Sequence, residues 1–260
     1  TREMDTDGNW VTNEATATFG TQTIRVNYKA TKNASGAYDQ EISNEEGSFY
    51  IFYDKNQLVQ QRNNLEWLQN MDCRLILSIN CRNTKCVAET ALSPLGITDI
   101  KTKNSIKGEK PIMHISRNEE DSIEWINRKL RELTDNGIRK DQITILSVKG
   151  ESQSIYSKRT KIGNYSISSK RESGKILFTT SRKFKGLESD FIILVDVDAD
   201  TFSDEEQKRL FYVGASRARN RLFITSIVNE YDEKQMVRAI TDGKYEKRMR
   251  LDPYLKVTLK

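Results

Sequence analysis

The run from Ile176 to Ile224, ILFTTSRKFKGLESDFIILVDVDADTFSDEEQKRLFYVGASRARNRLFI, restricts the fold more than any other part of the 260-residue chain. Phe191-Ile192-Ile193-Leu194-Val195 has no polar alternation, so both faces of that strand must be covered, as in a parallel sheet. Ile176-Leu177-Phe178 forms a second apolar strand that ends in a polar turn at Thr179-Thr180-Ser181. Ser203-Asp204-Glu205-Glu206 has capping-box spacing, with Ser203 as N-cap and Glu206 three residues on. The helix it opens turns Leu210, Phe211, Val213 and Ala215 toward a core and leaves Arg217, Arg219 and Arg221 near its end. Arg221 to Thr225 returns as a strand. Strand, helix and strand in this rhythm imply a doubly wound α/β fold with a mainly parallel sheet.

Upstream, the same signals recur. Phe49 to Tyr53 and Arg74 to Leu77 read as strands, with Leu65 to Met71 as an amphipathic connector between them. Thr84 to Leu92 is a helix stopped by Pro94 and Gly96, and Pro111 to Ser116 is a strand. Glu119 to Thr134 places Ile123, Ile126, Leu130 and Leu133 on one stripe, with Gly137 as a stop. Ile143 to Val148 is another buried strand. Ser147 to Lys175 is rich in Ser and Lys and reads as a loop with one short helix. Thr16 to Thr31 alternates as a hairpin would, and a helix spans about Glu233 to Thr241 in the charged tail. The chain thus divides into a leader over 1–48, a short segment over 49–72, a main domain over 73–229 and a charged tail over 230–260.

Charge has a local meaning. The net charge is only +5, yet ten Lys or Arg and three Asp or Glu lie between Lys149 and Glu188. A basic zone of this kind suits a nucleic-acid track. Three cysteines, Cys73, Cys81 and Cys86, with a distant His114 fit neither a zinc pattern nor a disulfide framework, so no metal site is expected. They read as reduced cytosolic thiols, which places the protein in the cytoplasm. No apolar run approaches the roughly 20 residues of a membrane span.

Thr180-Ser181-Arg182-Lys183-Phe184-Lys185-Gly186-Leu187-Glu188, followed by the Phe191–Val195 strand, resembles motif V of UvrD/Rep-type superfamily 1 helicases. Leu210-Phe211-Tyr212-Val213-Gly214-Ala215-Ser216-Arg217-Ala218-Arg219 resembles motif VI. The two stand in the family's order, about 25 residues apart. Arg182 replaces a usual histidine in motif V, and Ser216 replaces a threonine in motif VI with its hydroxyl retained. The apolar strand before Asp54-Lys55-Asn56-Gln57 resembles motif III. Ser78 to Thr84 resembles motif IV, with Cys81 in place of the aromatic residue that can support adenine.

The resemblance implies the RecA-like second motor domain of a P-loop NTPase, lacking a P-loop of its own, with 49–72 as a remnant of the first motor domain and its connector. It implies ATP with Mg²⁺ bound between this domain and an N-terminal RecA-like domain in cis. On that reading Arg217 is the arginine finger, Arg82 a second phosphate contact and Gln57 the relay. Glu188 and Gly186 join Arg82 and Arg217 around the nucleotide. Thr180, Arg182, Lys183 and Lys185 contact single-stranded nucleic acid, with DNA favoured over RNA. The chain shows neither a Gly-Lys-Ser/Thr loop nor the acidic pair for magnesium. Gly174-Lys175 lacks the other glycine and the hydroxyl, and Asp204-Glu205-Glu206-Gln207 opens a helix instead of closing a strand. Asp196 and Asp198 follow a strand but belong to the segment after motif V. The alternative is a RecA-like module that binds nucleic acid or protein without turnover. The motor reading requires Arg217 and Arg82 to point from one sheet edge into a shared cleft, and burial of either guanidinium defeats it.

Overall fold

The computed structural model describes residues 3–4, 6, 10–19, 22–32, 38–43, 79–102 and 106–260. The expected strands at Phe49–Tyr53 and Arg74–Leu77, the connector Leu65–Met71, Gln57 and Cys73 lie outside those residues. Two compact units are present, Thr1–Tyr53 and Asp54–Lys260. The first holds a meander of β1 (Glu3–Met4), β2 (Trp10–Phe19), β3 (Gln22–Lys32) and β4 (Tyr38–Ser43), paired antiparallel in that order. The alternation read at Thr16 to Thr31 corresponds to the β2–β3 pairing, with Thr16 opposite Arg25.

The second unit begins, among the described residues, with β5 (Ile79–Asn80), α1 (Lys85–Leu92) and β6 (Lys101–Thr102), which pairs parallel with β5. A 3-10 turn at Ser93–Leu95 follows α1 and closes on Gly96 at φ 68°, a left-handed position that glycine occupies without steric cost. Then come β7 (Ile112–Ser116), α2 (Glu119–Asp135), β8 (Ile143–Ser147), β9 (Lys161–Ile162), β10 (Tyr165–Ser168), β11 (Ile176–Thr180) and β12 (Ser189–Val195). The chain ends through α3 (Glu205–Ala215), β13 (Ala218–Ile227), α4 (Glu230–Ile240), α5 (Leu251–Leu255) and β14 (Thr258–Leu259).

Eight of these strands form one sheet in the order β14-β7-β13-β12-β8-β11-β10-β9, parallel throughout except for the β9–β10 hairpin. Period-two alternation sorts the strand residues onto two cores. Met113, Leu146, Ile192, Leu194 and Ile224 meet α1, α3, α4 and α5 on one face through Val87, Phe211, Met236 and Leu255. Ile145, Phe178, Ile193 and Phe223 meet α2 on the other face through Trp125, Ile126 and Leu130. Helices on both faces of a mainly parallel sheet make this the doubly wound α/β architecture. No helix among the described residues is long and apolar enough to cross a membrane.

Five local expectations change. β13 begins at Ala218 instead of Arg221, because Ala218 already pairs with Ser189 of β12, so Arg219 and Arg221 lie on the strand and not at the helix end. The apolar run at Ile176 extends through Thr180, because Thr179 and Thr180 pair in register with Leu146 and Ser147. Asp204, not Ser203, caps α3, its carboxylate accepting the Gln207 amide at 2.9 Å. Ser203 instead donates to the Asp200 carbonyl and closes a preceding 3-10 turn. The segment 147–175 holds the β9–β10 hairpin instead of a helix. Its tight turn is fixed by α2: Asn127 accepts the Asn164 amide at 3.1 Å and fills the space beside Gly163, where a Cβ would lie 2.1 Å from its side chain. The charged segment 230–260 adds the edge strand β14 to the sheet and buries Leu251, Leu255 and Val257.

Candidate functional site

Parallel strands give the sheet two chemically distinct edges. Ser147, Thr180 and Val195 align at the carboxyl ends, whereas Ser189 and Ala218 pair at the amino ends. The loop Ser181–Glu188 passes between β11 and β12 without a helix, so it runs from one edge to the other.

At the amino edge, Glu188 lies between two exposed guanidinium groups. Its Oε2 accepts from Arg82 Nε at 3.0 Å, and its Oε1 stands 3.6 Å from Arg219. Arg219 also reaches Asp190 at 3.8 Å. The half-exposed Arg82 and Glu188 side chains leave this ion pair weak on its own but leave both groups available to a ligand. Gly186 has φ 89°, and a Cβ there would meet nothing within 4 Å, so the backbone conformation and not crowding calls for glycine.

The Arg82 loop is held by two asparagines. Asn80 Oδ1 accepts from the amides of Arg82 and Asn83 at 2.9 and 3.1 Å, which makes a local turn. Buried Asn83 then donates to the carbonyls of Ser216 and Ala218 at 2.9 and 2.5 Å, tying the loop to the start of β13. Neither residue was given a role from sequence. The Asn-x-x-Asn spacing was the available signal, and Arg219 was visible only as one of three arginines after the helix.

Arg217 does not meet the requirement set by the sequence reading. It is 1% exposed, and its Nε donates to the Val213 carbonyl at 2.9 Å. Longer contacts run from the guanidinium to the Leu187 carbonyl and Ser216 Oγ, both at 3.4 Å. The helix ends at Ala215, so Arg217 falls in the turn before β13 and folds back against the last helical carbonyls. An open cleft lined by both Arg217 and Arg82 is therefore not present in this arrangement; Arg82 faces solvent and Arg217 faces the core.

At the carboxyl edge, Thr180 is buried and its hydroxyl accepts the Lys183 amide at 3.3 Å, so it shapes the turn and offers no free surface. Arg182, Lys183 and Lys185 are exposed. Arg182 pairs with Glu206 at 2.9 Å and Lys183 with Glu151 at 2.7 Å, both accessible to competing anions. Beside them a hollow of about 800 Å³ is lined by Lys149, Gln153, Arg182, Asp198, Thr201 and Gln207. Lys149 meets Asp198 at 2.5 Å. Burial works to lower the Lys149 pKa, but the hydrogen bond and field of Asp198, with Asp196 and Asp200, raise it above the ordinary value. Asp196 sits at φ 62° with a buried carboxyl; burial pushes its pKa up, partly offset by the 2.6 Å bond from Ser147 Oγ. Among the described residues no group of three His, Cys, Asp or Glu could hold a metal ion.

Comparison with known proteins locates this arrangement. Residues 175–225 match the family model for the UvrD-like helicase C-terminal domain. That span takes in Thr180, Arg182, Lys183, Lys185, Gly186, Glu188 and Arg217, and leaves Arg82 outside. No curated protein matches the chain. A solved structure described as the C-terminal domain of a possible DNA helicase from Lactobacillus plantarum WCFS1 is 18% identical, covers 56% of this chain and 87% of its own, and superposes with a TM-score of 0.44. The family match rests on the sequence of 175–225 and is independent of the Arg217 rotamer. Residues 175–225 are thus the part of this chain that is similar to a UvrD-like helicase C-terminal domain.

Proposed function

We propose that the chain is the C-terminal motor domain of an ATP-dependent superfamily 1 helicase or translocase that acts on single-stranded nucleic acid, DNA in preference to RNA. The observation that carries the reading is the exposed Arg82–Glu188–Arg219 cluster at the amino ends of β12 and β13, with Glu188 and Arg219 inside the family-matched span 175–225. ATP lies between this edge and an N-terminal RecA-like domain in cis. Arg82 donates to the terminal phosphate oxygens, where charge develops as the phosphoryl group leaves, and its planar fork suits two oxygens at once. Glu188 holds Arg82 until nucleotide binds and then turns to the ribose hydroxyls. Magnesium bound with ATP would neutralise charge on the phosphates, and among the described residues no group of three His, Cys, Asp or Glu would hold it. The burial of Arg217 removes the shared Arg217–Arg82 cleft as the ground for the motor reading, which stands on Arg82 and on the family match instead. Arg217 serves as a finger once domain closure draws it from the Val213 carbonyl, and Gln57 is the proposed relay. Arg182, Lys183 and Lys185 contact the nucleic-acid backbone at the opposite edge, and the Ser181–Glu188 loop links the two.

The burial of Arg217 favours a second reading, a RecA-like module that binds nucleic acid or protein without turnover. One experiment separates the two. In the complete protein, Arg82→Ala lowers nucleic-acid-stimulated ATP hydrolysis by about 10³-fold if the domain is a motor. Hydrolysis that is absent, or unchanged by Arg82→Ala, assigns the binding module. The 260-residue chain by itself shows no appreciable ATPase activity in the motor reading.

A further inference from the structure

Residues Lys244 to Lys260 hold six cations and two carboxylates, a surplus of four in a chain whose net charge is +5. Both carboxylates are already neutralised, Glu246 by Arg238 and Asp252 by Lys110. Lys244, Lys247 and Arg250 stand exposed, and among the described residues none of the three meets a carboxylate. One of these charges stacks on a planar side chain, and the two lysines flank that side chain in sequence. The Arg250 guanidinium carbon lies 4.3 Å over the Tyr245 ring, and Tyr254 meets Tyr245 edge-on at 6.0 Å. Met249 is 66% exposed beside them in sequence.

We infer that this surface is a second contact for single-stranded nucleic acid, separate from the Thr180–Lys185 loop. Exposed cations alone would suit any polyanion. An arginine plane laid on a tyrosine also offers a flat, polarisable face on which an unpaired base stacks, and the lysines take the flanking phosphates. An acidic protein partner would use the charges and leave the stacked rings without a role. The surface also has its own place in the fold. Asp252 pairs with Lys110, just before β7, and the Thr258 amide bonds to the Pro111 carbonyl, which sets this segment at the amino ends of the strands near the β14 edge. The Thr180–Lys185 loop starts at the carboxyl end of β11. The inference does not rest on the motor reading.

The test is titration of labelled oligothymidine with the 260-residue chain over a range of salt concentrations. The triple variant Lys244→Gln/Lys247→Gln/Arg250→Gln should bind about tenfold more weakly and flatten the slope of log affinity against log salt by about two, at roughly 0.7 per lost phosphate contact. Tyr245→Leu should weaken binding about tenfold through lost stacking, with the slope unchanged. Arg182→Gln/Lys183→Gln runs in parallel. If it weakens binding while the Lys244 triple does not, the second contact is refuted and the carboxyl-edge track stands; the reverse result refutes the track and keeps the second contact. No binding by the unaltered chain, or displacement by polyglutamate as readily as by unlabelled oligothymidine, overturns the proposal.

Discussion

Arg217 and Asn83 sit a few residues apart in space and do opposite things with backbone carbonyls. Asn83 satisfies those of Ser216 and Ala218 so that the neighbouring Arg82 can remain exposed. Arg217 spends its guanidinium on the carbonyl of Val213, with weaker contacts to Leu187 and Ser216, and stays inside. A side chain placed this way contributes to stability whatever its role toward nucleotide. Arg217→Ala should therefore destabilise the 260-residue chain by about 2–4 kcal/mol, from the cavity left and from carbonyls stripped of their donor, read as a lower urea midpoint. An unchanged midpoint would show that the buried contacts do not persist in solution.

Among the elements, α3 comes close to the sheet at Gly214. Gly214 in this helix would normally gain about 0.5–1 kcal/mol on replacement by alanine. Here a Cβ would lie 2.4 Å from Ser181 Oγ and 2.7 Å from Leu194 Cδ1. Ser181 Oγ is itself buried with no hydrogen-bond partner, so it stands where the helix must come nearest. Gly214→Ala should therefore cost about 1–3 kcal/mol instead of stabilising, and adding Ser181→Ala should recover part of the loss. A Gly214→Ala variant with a raised midpoint would mean that helix and strand can move apart freely. The same packing explains why helix boundaries were legible: Glu119–Thr134 and the Leu210 to Ala215 core face were read from period and caps, and the observed helices differ by about a residue. The cap of α3 moved from Ser203 to Asp204 because Ser203 was taken by the 3-10 turn at Asp200–Phe202, a competitor with no periodic signal.

At the scale of the whole molecule, Asp196 makes one contribution to the pH dependence of stability. Its folded pKa is raised by burial above the ordinary 3.8, so the folded state prefers the protonated carboxyl. Its contribution to stability is present below the ordinary value and is lost as pH rises through the folded pKa. Asp196→Asn removes that loss, so its urea midpoint relative to the unaltered chain should improve as pH is raised from about 3.8 upward. A gap independent of pH would show that Asp196 titrates normally.

The sequence by itself determined the doubly wound class, because a strand with no polar alternation and a helix with one apolar face can be satisfied only by covering both sides of a parallel sheet. It also determined the strings Thr180–Glu188 and Leu210–Arg219, which both lie inside the family match over 175–225, since a contiguous string keeps its order regardless of packing. Tertiary structure decided the rest. Arg82 and Glu188 are 106 positions apart in the chain and meet only because the Asn83 bonds to Ser216 and Ala218 bring the β5–α1 loop to the amino ends of the strands. Arg217 could be named from its motif, but whether a guanidinium faces a cleft or its own helix end depends on which carbonyls the fold leaves open nearby. The β9–β10 hairpin was likewise set by Asn127 on a distant helix, and a long-range contact of that kind leaves no periodic trace in the residues that it shapes.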